Sequence, residues 1–244
     1  MLTDRSTDGK GKGFFSPFTF RLSPRLAFTL AEVLIVIGIL GIVAEMTIPT
    51  LYNDYLMSRY YSMFMKGYTD LSQVIESLVL ENGDMASAIS SYGTLTDAIS
   101  SKVNVTLFCP AGTMEERCMP YNSTAIDGTS LPEGYFAGNR LSLLNGEAIY
   151  INDFDNTCNG SDNSITKVCA SIMIDTNGVT EPNRLGRDLF YFDVTSNKLV
   201  AIGNQGTNQA WTPTWTWYCN PKITDPNSGI ACAGRLLQQG KMDY

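Results

Sequence analysis

Residues 28–48 read FTLAEVLIVIGILGIVAEMTI. At 1.5 Å per residue a helix of this length rises about 30 Å, the thickness of a bilayer's hydrocarbon core. Leu34 to Ala44 carries no polar side chain, and two carboxylates, Glu32 and Glu45, flank that run. Glu32 is the informative one, since a carboxylate within an apolar layer costs about 2.5 kcal/mol or more unless it finds a partner. The charge around the stretch is uneven. Residues 1–27 carry Arg5, Lys10, Lys12, Arg21 and Arg25 against Asp4 and Asp8, while the whole chain of 244 residues holds 17 basic and 24 acidic side chains. A basic head, an apolar span and an acidic remainder predict a single crossing with the head in the cytoplasm.

Composition removes several functions. With no histidine, no Ser-His-Asp or Cys-His constellation and no His-based metal site can be built. An acidic body without a basic cluster argues against a nucleic-acid partner. No paired carboxylates are placed in a recognisable cleft, so no enzyme is expected. The six cysteines fall into sequence-local couples, Cys109 with Cys118, Cys158 with Cys169, and Cys219 with Cys232, and none forms Cys-x-x-Cys. After an export-type segment they read as disulfides; fifteen connectivities are open, with local pairing preferred.

An ordinary secretory signal cut near Ala44 and an ordinary single-span anchor both fit the length of the apolar stretch, but neither gives Glu32 a reason. Ala27-Phe28-Thr29-Leu30-Ala31-Glu32, followed by Val33-Leu34-Ile35-Val36-Ile37, resembles the cleavage and methylation segment of type IV prepilins and type II secretion pseudopilins. The resemblance implies a prepilin peptidase that cuts between Ala27 and Phe28 and N-methylates Phe28. The family's usual residue before the cut is Gly, where this chain has Ala27. It further implies that Glu32 meets the Phe28 amine of a neighbouring subunit, and that the helix is bent or locally melted between Gly41 and Pro49. Later segments are more loosely similar to minor pilins: Ile174-Asp175-Thr176-Asn177-Gly178, Pro182-Asn183, Gly186-Arg187-Asp188, Phe190-Tyr191-Phe192 and the tail from Cys232 to Tyr244.

The implied organisation is a cleaved basic leader (1–27), a transmembrane and assembly half-helix (28–48) and a periplasmic or extracellular α+β domain (49–244), with a long helix packed on an antiparallel sheet. The implied function is a type IV pilus-type filament subunit for adhesion, motility or DNA uptake. A type II secretion pseudopilin and a non-polymerising, membrane-anchored binding domain are the alternatives. The partners would be copies of itself or other pilins, the prepilin peptidase, inner-membrane assembly machinery and, before assembly, membrane lipid.

Beyond Pro49, Tyr61, Phe64, Tyr68, Leu71, Ile75 and Leu78 recur at three- and four-residue steps and predict an amphipathic helix reaching about Glu81, stopped by Asn82-Gly83-Asp84. Residues 84–145 have weak periodicity and are expected to set surface properties rather than the fold. Within them Thr96–Ser101 reads as a short helix and Val103–Leu107 as a strand. Further strands are expected at Ala148–Ile151 and Val168–Ile174, and a hairpin joins Leu189–Val194 to Leu199–Ile202. Trp211, Pro213, Trp215 and Trp217 alternate with threonines and read as a buried sheet face. Two oxygen-rich loops, one with Asp153, Asp155 and Asp162 and one with Asp175, Asn177 and Asp188, have residues that suit calcium. Ordinary turn chemistry is preferred for both, and no cofactor is expected.

Overall fold

The computed structural model describes residues 29–113, 115, 117, 118, 120, 122–204, 206, 207 and 217–244. Ala27, Phe28 and the strand expected from Trp211 lie outside these residues, apart from the backbone of Trp217. The chain divides into two compact units, one ending at Pro49 and one running from Thr50 to Tyr244.

Helix α1 (Leu30–Asn82) is continuous through both Gly41 and Pro49. The local melting that the resemblance implies between those residues is therefore not seen. Pro49 removes one backbone donor, but the turns on either side stay helical. In the first unit the large apolar side chains of α1 are bare: Leu30 is 80% exposed, Ile35 62% and Leu40 61%. This is the one described helix long and apolar enough to cross a membrane.

In the second unit, α1 supplies the buried stripe Phe64, Gly67, Leu71, Ile75 and Leu78. Asp84 then caps α2 (Met85–Tyr92), accepting the Ser87 N–H at 2.7 Å, and Thr94 caps α3 (Leu95–Ser100), accepting the Asp97 N–H at 3.0 Å. Met85, Ala88, Ile89, Leu95, Ala98 and Ile99 are all buried. The start of the 84–145 region is thus core, contrary to the surface role expected of it. The short helix expected at Thr96–Ser101 is α3, whereas α2 is not expected from the sequence, because its few apolar residues show no period.

The sheet has seven antiparallel strands: β1 (Val105–Cys109), β2 (Asn139–Leu143), β3 (Ala148–Asp153), β4 (Gly160–Asp162), β5 (Ile165–Asp175), β6 (Leu189–Thr195) and β7 (Leu199–Ala201). Their order is β1-β2-β3-β5-β6-β7, with β4 pairing the first part of β5 beside β3. The architecture is α+β, a long N-terminal helix packed with an antiparallel sheet. One sheet face, with Leu141, Ile149, Ile151, Ile172, Ile174, Phe190 and Phe192, joins the α1 stripe in the main core. The other carries Ala148, Tyr150, Met173 and Leu189 and is covered by Phe136 and Leu185 from loops. With both faces covered, β5 is buried continuously from Val168 to Asp175 instead of alternating.

Helix and sheet approach closely where α1 carries Gly67, since a Cβ there would lie 3.3 Å from Ile174 Cγ2. One turn away, the Phe64 ring sits 4.5 Å from that of Phe190 and 6.4 Å from that of Phe192. Lys66 extends from the same turn to Glu147 Oε1 at 2.6 Å, and Glu147 is nearly buried. Phe64→Ala should lower the unfolding free energy of the detergent-solubilised chain by about 3–5 kcal/mol, read from denaturant melts, because the ring fills the centre of this contact.

Candidate functional site

The first candidate site is the start of α1. Thr29 is its N-cap and Glu32 stands three residues on. The Thr29 N–H and Oγ1 donate to Glu32 Oε2 at 2.8 and 2.9 Å, and the Glu32 N–H donates back to Thr29 Oγ1 at 3.2 Å. This is a reciprocal capping box, which places a carboxylate at the positive end of the helix. Glu32 therefore has a partner within its own chain, a role the sequence reading passed over although the Thr-x-x-Glu spacing announces it. Gly38 and Gly41, further along the helix, have nothing within 4 Å of where a Cβ would stand, and Glu45 is exposed.

The cysteines form three bonds, Cys109–Cys118, Cys158–Cys169 and Cys219–Cys232, which are the sequence-local couples. The last anchors a C-terminal hub. Helix α4 (Cys232–Gln239) presents Arg235, which donates to Cys219 O at 3.0 Å and to Asp243 at 2.8 Å and lies over the Tyr244 ring at 4.5 Å. Tyr244 in turn donates its hydroxyl to Gly186 O at 2.8 Å.

The two oxygen-rich loops differ. In the first, the acids serve separate partners: Asp153 accepts from Thr96 Oγ1 at 3.0 Å, Asp162 accepts the Asn163 N–H at 2.8 Å, and Asp155 accepts from Thr157 and Asn159 N–H at 2.9 Å each. That is turn chemistry, and the three carboxylates do not converge. In the second loop, Asp188 accepts the Asn183 N–H at 2.8 Å and the Arg184 N–H at 2.6 Å, while Asp175 Oδ1 accepts the Asn177 N–H at 3.3 Å. Asp175 and Asp188 are fully buried. Burial pushes the Asp175 carboxyl well above its usual range, and the neighbouring Asp188 adds to it. Burial also raises Asp188 to about 6 against the pull of the backbone amides at Arg184 and Asn183.

Two participants were not found from sequence. Tyr150 and Arg140 are both buried beside this pair, and burial followed by the charge of Asp175 raises the Tyr150 hydroxyl. Their strands lie far away in the chain, so only register brings them together. Among the described residues no three histidine, cysteine or acidic side chains cluster as a metal donor set. Comparisons with protein-family models, curated proteins and solved structures give no match.

Asp193, also missed, is a third fully buried acid; it lies on β6 and accepts from Asn163 Nδ2 at 3.2 Å. Burial raises it to about 7, partly offset by that amide. A carboxyl whose folded pKa exceeds its unfolded value near 3.8 contributes stability that is complete below that value and is lost as pH rises through about 7. Asp193→Asn should therefore flatten the fall in unfolding temperature between about pH 4 and pH 7, and should melt above the parent at the upper end. Thermal melts across that range check it.

Proposed function

We propose that the chain is a pilin-like filament subunit, made as a single-span inner-membrane precursor, cut before Phe28 and assembled through the first part of α1. The observation that carries this reading is the bare apolar segment from Leu30 to Ile48, which begins with a lone carboxylate, Glu32, at the helix N-terminus. A water-soluble role gives no account of so much exposed apolar surface, whereas lipid before assembly and neighbouring helices after it would both cover it. The helix-on-sheet domain and the three disulfides are compatible with display outside the cytoplasm.

The capping box refines the assembly step. In the lone subunit Glu32 is held by Thr29; cutting before Phe28 would create an amine one residue away, at the same helix end. On docking, the glutamate would exchange the Thr29 contact for the amine of a neighbour. Each member of such a pair is costly when left alone in an apolar layer, so the pair sets the height at which subunits dock. A pseudopilin in a secretion system uses the same chemistry, and the surrounding genes distinguish the two.

N-terminal mass spectrometry of the native protein should find N-methyl-Phe28; an intact residue 1–27 segment would support the anchor-only reading. Glu32→Gln separates two roles, because glutamine also completes a capping box but carries no charge. Mature subunit should accumulate normally while sheared filaments are lost, with about 3–5 kcal/mol forfeited per subunit contact. Normal filament yield from Glu32→Gln cells would remove the charge-pair step.

A further inference from the structure

Beside the second core, separate stretches of chain close around one open cavity of about 450 Å³, a size within the range of small-molecule sites. Tyr191 comes from β6, Tyr135 from the short turn Glu133–Phe136, and Tyr218 from the turn Trp217–Cys219. Asp162 and Asn163 come from the end of β4, and Asn227 from the loop before α4. Tyr135 and Tyr191 pack on the second core with their rings edge to face, centroids 6.2 Å apart. Around Tyr218 the backbone is fixed by the Cys219–Cys232 bond and by the N–H groups of Gly229 and Ala231, which donate to Tyr218 O at 2.8 and 3.1 Å. All three tyrosines are half-buried, so each keeps some surface open.

Three planar polar groups line the same cavity, and the protein pins each of them at one end. Asp162 Oδ1 accepts the Asn163 N–H at 2.8 Å, Asn163 Nδ2 donates to Asp193 Oδ2 at 3.2 Å, and Asn227 Oδ1 accepts the Tyr135 hydroxyl at 2.6 Å. The turn between β4 and β5 sets up the second of these bonds. Asn163 and Ser164 both have positive φ, 48° and 63°, as a tight two-residue hairpin turn requires, and the Asn163 side chain thereby reaches β6. The opposite ends, Asp162 Oδ2, Asn163 Oδ1 and Asn227 Nδ2, bond no described residue. Two acceptors and one donor therefore stand oriented and unused beside three aromatic rings. Among the described residues no lysine or arginine lines the cavity, and the formal charge there is that of Asp162.

We propose that this cavity binds a neutral pyranose sugar, with a tyrosine ring against its C–H face and with Asp162, Asn163 and Asn227 on its hydroxyls. A pyranose is an apolar face edged by hydroxyls, each of which donates and accepts. A site for it needs a flat apolar wall with fixed polar groups beside it, and tyrosine supplies such a wall. An anion, whether a phosphate or a uronic acid, would meet the Asp162 carboxylate with no cation to balance it. An organic cation suits the rings and the carboxylate but leaves both amides unused. An apolar ligand would desolvate all three free ends without replacing a hydrogen bond. Sugar hydroxyls can satisfy the two acceptors and the donor together. Because those groups are pinned before the ligand arrives, little side-chain freedom is lost on binding. The site is built wholly from the second unit, and the proposal does not rest on filament assembly.

The test uses the full chain in a polyoxyethylene detergent, because glucoside and maltoside headgroups would themselves compete. Free glucose, galactose, mannose and N-acetylglucosamine are offered at millimolar concentration and read by saturation-transfer NMR, which reports sugar C–H protons held against protein. At least one should bind saturably, with transfer concentrated on the protons of one ring face. Glucuronate, phosphate and choline should not displace it. Asp162→Asn keeps an oxygen for the Asn163 N–H, and Asn227→Ala shortens an exposed side chain, so both variants should fold and melt as the parent does. Asp162→Asn should weaken the sugar by about tenfold or more, as loss of a hydrogen bond to a charged group does, and Asn227→Ala by several-fold. Absence of saturable transfer from every one of these sugars would overturn the proposal. Displacement by choline would overturn it too and assign an aromatic cage for a cation instead. Sugar affinity unchanged in both Asp162→Asn and Asn227→Ala would place the binding elsewhere and overturn it as well.

Discussion

Everything in the second unit is arranged around the seam between α1 and the centre of the sheet, where Phe64 and Gly67 meet Ile174, Phe190 and Phe192. A helix can lie this close to a strand only where one side chain is absent, and Gly67 is that absence. The neighbouring ring then fills the space on either side of the contact. From this seam the strand directions follow, because β5 and β6 must present Ile172, Ile174, Phe190 and Phe192 on one face. Strand alternation then turns Met173, Asp175 and Leu189 to the opposite face, which must find its own cover. The helices α2 and α3 close one side of the first core, and loops close the second.

The two covered faces separate two kinds of chemistry. The helix side is mainly apolar, with polar contacts to the sheet from Lys66 to Glu147 and from Thr96 to Asp153. The loop side combines apolar packing with five buried ionisable groups, Arg140, Tyr150, Asp175, Asp188 and Asp193. Desolvation is tolerable there because a loop, unlike a helix, can turn its free backbone N–H groups toward carboxylates, as residues 183 and 184 do toward Asp188.

Local chemistry was legible in the sequence, and convergence was not. The three- and four-residue stripe from Phe64 to Leu78 carries its own period, and the Thr195–Lys198 turn marks the β6–β7 hairpin, so both could be read directly. Gly67 could not, because a small residue within an apolar stripe gains its meaning only from the strand opposite. The helix α2 escaped since Met-Ala-Ser-Ala-Ile-Ser-Ser-Tyr offers too few large apolar residues to show a period, although Asp84 is a clear cap. For Glu32 the sequence holds both answers, an outward one in the cost of an intramembrane charge and an inward one in the capping spacing to Thr29. The acids of the first loop drew notice by density, yet hydrogen bonds dispersed them. Tyr150 lies two strands away in order and separate in sequence from Asp188, and only the sheet register joins them.

The local disulfides bear on the order of events during folding. Their partners are separated by 9, 11 and 13 residues. Rings this small close with little loss of chain entropy, and none of them has to wait for α1 to dock or for the strand order to be set. Oxidation can thus keep pace with the emerging chain, each cysteine meeting its mate before the next couple arrives. The covalent framework is then a set of three small clasps that leaves the topology free, and the long-range order of the sheet is left to the apolar seam alone.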